Sequence, residues 1–533
     1  MPDPTLKSAA RTPGRVVEPA PSPADVDASR FAAADPLLCM SIEALVDGMC
    51  RRVFSPVDLL EAHISRMEAV NPLLTCLVAE RFGAAREEAA AAGREYATSA
   101  SPRPLLGIPF TVKEMIEVAG MPLTFGSAVR RGRTGARDAT VVARLRRAGA
   151  IPLGVTNVPE WGMWFESYNA LYGRTNNPYN LQHTPGGSSG GEGAAVGSGA
   201  SVFGIGSDIG GSVRMPAAFC GVYGHKPTTG LLPLTGHYPV YSDGPDAAIP
   251  QVAPYVSIGT LTRSAGDIAR LIRAMAGRDG IDPNAEPLAF LNPQVVDWRD
   301  RRVLLLSNPQ IEKASAATAD VGAAVTLAGR LLEERGAQVS DAPEKLLQHA
   351  GDIWFSALQS VGGASFAEIL TEGRGISLEL EIIRALVGRS RYSWPALFFC
   401  IGERIGRKNE RALRSALREG RRLALRYREL VGRDAILVSP VHPRTAPRHN
   451  GAIMRPFDFL YTAVFNALRV PATTAPCGFD ASGLPLSVQF TSARGNDHVT
   501  IAAASVVEAG MAPWRPAPVA TTHNGRGVGS NAR

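Results

Sequence analysis

The chain has 533 residues, of which 45% are apolar, 20% charged and 7% aromatic. That is enough apolar material for a large core and too little charge for a disordered chain. A net charge of +7 over this length excludes a global nucleic-acid footprint, and no apolar stretch reaches the roughly 18–20 residues that span a bilayer.

Residues 1–37 are rich in Pro, Ala and Ser without apolar periodicity, which predicts a disordered tail. They lack the apolar core of a signal peptide, so a cytoplasmic location is expected. One domain is predicted over 38–515, followed by a flexible C-terminal tail over 516–533. Two helices open it. Ser41 precedes IEALVDGMC, and Ser55-Pro56 supplies a cap and a first-position proline to a helix with Leu59, Ile64 and Met67 on one side. An Ala/Glu-rich helix follows near 82–97. IPFTVK (108–113) and AIPLGVT (150–156) read as buried strands, with a helix from Asp138 between them. RVLLL (302–306), a helix near 316–335 and AILVSP (435–440) repeat the alternation. The pattern predicts an α/β fold, a single large domain with a central mixed sheet flanked by helices on both faces.

Residues 402–433 hold eleven Lys and Arg against four Glu, an excess equal to that of the whole chain. The segment reads as one helix with pairs such as Glu403–Arg407 and Glu410–Arg414. It is either a solvated face or, with SWPALFF (393–399) before it, a patch for peripheral contact with an anionic membrane over 393–433. The six cysteines (39, 50, 76, 220, 400, 477) include no CxxC and the nine histidines no HExxH. Neither a disulfide framework nor a metal site is expected, and no cofactor.

The densest feature is 186–212, GGSSGGEGAAVGSGASVFGIGSDIGGS, where eleven of 27 residues are Gly against 54 of 533 overall. Glycine lets main-chain amides approach a ligand, either to cradle phosphate or to line an oxyanion hole. A P-loop needs GxxxxGK[ST], and no Lys lies in the block. Serines at 188, 189 and 212 among the glycines suit nucleophile chemistry better, although a packing role for the block stays open.

GIPFTVKEMIEVAGMPLTFGS (107–127), TPGGSSGGEGAAVGSG (184–199), GSDIGGSVRMPAAFCGVYGHKPT (206–228) and RVPATTAPCGFDASGLPLSVQF (469–490) resemble successive parts of the amidase signature family of serine hydrolases. GGSSGGEGA with SDIGGS and AFCG is most similar to the fatty acid amide hydrolase branch. The resemblance implies a Ser–Ser–Lys triad. In it Ser212 is the nucleophile, Ser188 the bridging serine after a cis peptide bond, and Lys113 the base that also returns the proton to the leaving amine. It implies main-chain N–H groups of Ile209, Gly210, Gly211 and Ser212 as oxyanion donors. Ser189, Asp208 and Arg214 are expected just behind them, with an Asp208–Arg214 salt bridge as a rival structural role. By the same resemblance GMWF (162–165) approaches the acyl channel, which makes Gly162 and Met163 candidate pocket residues. Position 225, usually Leu in the family, is His here and takes no role.

Composition singles out Lys113 by another route. Six of the 56 basic residues are Lys (7, 113, 226, 313, 345, 408) and the rest Arg. A Lys ending an apolar strand in such a chain suggests a task Arg cannot perform, because guanidinium stays protonated whereas a desolvated ammonium loses its proton near neutral pH. Lys226, before Pro227, reads as structural.

The expected activity is hydrolysis of carboxamides, with esters or carbamates as further substrates, on apolar or aryl acyl groups. Two rivals stay open. One is the glutaminase subunit of an aminoacyl-tRNA amidotransferase, against which Ile209 and Glu192 depart from the usual SDTGGS and GGSSGGS. The other is a non-catalytic binding protein on the same fold. The expected partner is a small-molecule amide, with no nucleic acid and no stable membrane insertion; a homodimer is left open.

Overall fold

Strands buried on both faces read as unbroken apolar runs, and the four runs singled out above are such strands. In the computed structural model, which describes residues 15–16, 35–238, 252–362, 365–373 and 377–519, the strands are β1 (Arg15–Val16), β2 (Leu77–Glu80), β3 (Pro109–Lys113), β4 (Ile151–Thr156), β5 (Tyr168–Asn169), β6 (Gly173–Arg174), β7 (Phe203–Asp208), β8 (Tyr223–Lys226), β9 (Ser257–Thr262), β10 (Arg302–Leu305), β11 (Gln338–Asp341), β12 (Ala435–Pro440), β13 (Ala472–Phe479) and β14 (Pro485–Thr491). Among the described residues, twelve strands form one mixed sheet in the order β1-β2-β4-β3-β7-β9-β8-β13-β14-β12-β10-β11, and β5–β6 is a separate hairpin. β3 runs parallel to β4 and β7, β10 runs parallel to β11 and β12, and the centre between these blocks is antiparallel.

Side-chain alternation shows helices on both faces. In β12, Ile436 and Val438 join one apolar cluster while Ala435 and Leu437 join another. In β4 a register shift at Leu153 breaks the alternation, so that Val155 faces the first cluster whereas Ile151 and Leu153 pack under helices Pro56–Leu74 and Phe82–Thr98 in a third.

The opening helices start where the caps predict. Ser41 accepts from Ala44 N, and Ser55 forms a capping box with Asp58. Most of the two expected tails lies outside the described residues, although Pro36–Leu38 forms a 3-10 turn.

The basic segment departs from the expected single helix. Trp394–Gly406 and Glu410–Val431 are separate, because Asn409 caps the second by accepting from Ala412 N at 3.0 Å. The pair Glu410–Arg414 is present at 3.2 Å. Glu403 instead accepts from Phe366 N at 2.7 Å. Leu423, Tyr427 and Val431, four residues apart, form the buried stripe of the second helix. Pro395, Ala396, Leu397 and Cys400 of the first are buried, while Trp394, Phe398 and Ile405 are exposed. No helix among the described residues is long and apolar enough to cross a membrane.

Candidate active site

Parallel neighbours β3 and β7, paired at Val112↔Ile205, place their carboxyl ends side by side, where open α/β sheets hold ligands. Lys113 ends β3. It is 1% exposed, and its Nζ lies 2.7 Å from Ser188 Oγ and 2.9 Å from Ser207 Oγ. Burial lowers its ammonium to about 7, against an opposing pull from the Asp208 and Glu192 carboxylates. An amine so placed can take a proton from a serine hydroxyl near neutral pH.

Ser188 follows a cis Gly187–Ser188 peptide bond, as the resemblance implied, and stands just before helix Gly190–Gly197. A side chain at Gly187 would meet Trp164 O at 2.7 Å, so glycine is required there. Ser189 N donates to Ser212 O at 3.1 Å and draws the two ends of the block together. Ser189 Oγ also contacts the main chain of Ser207, donating to its carbonyl and accepting from its N–H, each at 3.3 Å.

The chain from Asp208 to Ser212 is a tight loop wound on the Asp208 carboxylate. Gly211 N and Val213 N donate to it at 2.8 and 3.1 Å, and Arg214 closes a bidentate pair at 3.1 and 2.9 Å. Both partners are fully buried. Burial works against the charge, but the Arg214 guanidinium holds the Asp208 carboxyl well below the usual carboxylate range. Arg214 also donates to Thr462 O, Gln489 Oε1 and Asn466 Oδ1. The salt bridge named as a rival role is therefore present, and it shapes the loop.

Two expectations need correction. Of the four N–H groups expected as oxyanion donors, that of Gly211 is already engaged by Asp208. The expected proton wire is hydrogen-bonded only from Lys113 to Ser188; Ser212 Oγ, in a residue 6% exposed, makes no hydrogen bond among the described residues. Its hydroxyl is thus free to turn toward Ser188 or a ligand.

Gly162 lies beside this group. It adopts φ +68°, and a Cβ there would stand 2.8 Å from Met115 Sδ and 3.4 Å from Ser188 Oγ. Met163 is buried in an apolar cluster with Met115, Phe125, Trp161 and Leu397, the last from helix Trp394–Gly406.

Sequence reasoning missed Ser207, a polar residue near the end of an apolar strand, which was the available clue. It also gave no role to Glu192, whose buried carboxylate accepts from Thr111 Oγ1 at 2.6 Å and Thr156 Oγ1 at 2.7 Å. Lys226 ends β8, fully buried, and donates to Pro227 O at 3.0 Å. His225 meets Thr473 Oγ1 at 2.9 Å and Asp497 at 3.3 Å. Among the described residues no group of three or more His, Cys, Asp or Glu is placed to hold a metal ion.

Comparison with known proteins agrees with this geometry. The family model described as Amidase matches residues 58–501. Fatty-acid amide hydrolase 2 of Homo sapiens is 35% identical over 497 residues, covering 90% of each chain. A glutamyl-tRNA(Gln) amidotransferase chain of Roseiflexus castenholzii is more distant, 29% identical over 85% of this chain and 92% of its own. A solved structure of 6-aminohexanoate cyclic dimer hydrolase complexed with substrate superposes with a TM-score of 0.73 at 27% identity, covering 91% of this chain and 100% of that one. The chain belongs to the amidase signature family, with a fatty acid amide hydrolase among its relatives, and its reaction class is hydrolysis of the C–N bond of amides.

Proposed function

We propose that the domain over 38–515 hydrolyses amides of apolar acyl groups through an acyl-enzyme on Ser212. The observation that carries this reading is the 2.7 Å contact between a fully buried Lys113 amine, lowered to about 7, and Ser188 Oγ. Neutral Lys113 takes the Ser188 proton as Ser188 takes that of Ser212, and Ser212 Oγ bonds to the substrate carbonyl carbon. Negative charge gathers on the carbonyl oxygen, where the N–H groups of Ile209 and Gly210 receive it. Collapse breaks the C–N bond while Lys113 returns the proton through Ser188 to the leaving nitrogen. Water then releases the acid by the same relay.

The acyl group lies past Gly162, against the cluster that holds Met115 and Met163. An apolar wall of this kind favours long or aryl acyl groups over glutamine, and Ile209 and Glu192 depart from the amidotransferase pattern. Six unpaired cysteines, four of them buried, suit a reducing compartment. Exposed Trp394, Phe398 and Ile405, beside the basic helix, support peripheral contact with an anionic lipid surface.

The test is Ser212→Ala assayed with octanoyl p-nitroanilide and with a fluorophosphonate. Turnover falling by at least about 10⁴-fold, with no label incorporated, is the expected result. Undiminished turnover removes the assignment.

A further inference from the structure

We infer that Trp354, from a helix far along the chain, is a positioning residue that aims the Gly210 N–H at the oxyanion. This inference rests on the catalytic reading above and extends it to the support of the donor loop. In a planar trans peptide the C=O of one residue and the N–H of the next point in opposite directions. Anchoring a carbonyl on one side of the loop therefore aims the following N–H to the other.

Three successive carbonyls before Ser212 are anchored in this way, each by a side chain from a distant helix. Asn466 Nδ2 donates to Asp208 O at 3.0 Å. The Trp354 indole N–H donates to Ile209 O at 2.7 Å. Thr462 Oγ1 donates to Gly210 O at 2.8 Å. The N–H groups across these peptides belong to Ile209, Gly210 and Gly211. Since Gly211 N–H is engaged by Asp208, the planes set by Asn466 and Trp354 carry the two N–H groups before Ser212 that have no hydrogen-bond acceptor among the described residues.

Asn466 is also part of the Asp208–Arg214 network. Trp354 is a partner of this loop outside that network, so its effect can be separated. It sits on helix Ala350–Ser360, 3% exposed, with its ring edge-on to Phe459 at 5.1 Å. A Cβ at Gly210 would come within 3.3 Å of the indole and 3.4 Å of Phe459. The ring thus lies against the Gly210 main chain, and glycine there permits the approach. Without the indole N–H the half-buried Ile209 carbonyl loses this partner and its peptide can rotate to find another. The misalignment is felt when charge develops on the substrate oxygen and little in substrate binding.

The experiment compares wild type with Trp354→Phe and with β-(3-benzothienyl)alanine at 354, which replaces the N–H by sulfur at almost the same size. Rates for octanoyl p-nitroanilide are taken per active site titrated with a fluorophosphonate, so any unfolded fraction drops out. We expect kcat to fall by about 10- to 100-fold with KM within about threefold, less than the effect of deleting a donor outright. An n-octyl trifluoromethyl ketone, whose adduct carries an oxyanion, should bind more weakly by the factor lost in kcat/KM, and octanoate should bind as before. The inference is overturned if kcat stays within about threefold of wild type, or if ketone and octanoate weaken equally. Turnover surviving in Ser212→Ala overturns the catalytic reading and this inference together. Loss in Ser212→Ala with unchanged Trp354 variants overturns this inference alone.

Discussion

Two buried lysines, Lys113 at the end of β3 and Lys226 at the end of β8, have the same solvation and different neighbours. Each is almost without exposure, and burial lowers each to about 7. Lys113 faces the hydroxyls of Ser188 and Ser207, whereas Lys226 faces the Pro227 carbonyl. A carbonyl accepts a hydrogen bond and has no proton to give; a hydroxyl can do both. A lowered pKa is therefore necessary for a lysine base and does not make one. The proton donor beside it does.

The comparison breaks most sharply at the lysines themselves. Lys113→Ala should lower kcat/KM by about 10³- to 10⁴-fold, while Lys226→Met should keep kcat within about threefold; steady-state rates on one anilide check both. Ser188→Ala, which keeps the amine and removes its hydroxyl partner, should cost about 10²- to 10³-fold in kcat. A smaller loss would mean that Lys113 reaches Ser212 without the relay.

Stability offers a reading that is the same for the two. A lysine held near 7 in the folded chain and near its ordinary value of about 10.4 in the unfolded one binds the extra proton when unfolded. Stability then rises with pH between these values, and the penalty is fully present below 7. Lys226→Met removes that penalty, so its Tm at pH 6 should equal or exceed that of wild type, by thermal melting at several pH values. A finer effect concerns Glu192, whose carboxyl burial pushes up to about 8, so that it is mostly neutral where Lys113, lowered to about 7, titrates. Glu192→Gln should therefore leave the acid limb of the kcat/KM profile in place, as a pH–rate profile of the variant checks. The smallest effect concerns the surface: Ile405→Glu should reduce sedimentation with phosphatidylserine vesicles while leaving anilide turnover intact.

The sequence made the near parts of the site legible. Lys113 was visible as a polar end to an apolar strand in an Arg-rich chain, and the serines as side chains among glycines. The sheet and the opening helices followed from apolar runs and caps. What stayed hidden depends on distant partners. Trp354, Thr462 and Asn466 reach the Asp208–Ser212 loop from 145, 252 and 258 positions along the chain, and periodicity gives an apolar or capping reason for a residue without naming its partner. The same limit explains the engaged Gly211 N–H, which becomes apparent only once Asp208 is seen to fold back. The break before Glu410 was missed for a local reason, since the charge pattern runs on past Gly406 while Asn409 restarts the helix.

The most direct test is the pH dependence of fluorophosphonate labelling, with the adduct mapped by mass spectrometry. In wild type the label should map to Ser212 and its rate should rise with an inflection near pH 7, and that inflection should vanish in Lys113→Ala. The same inflection in both proteins, or a label on another residue, would contradict a lysine-driven serine at this site.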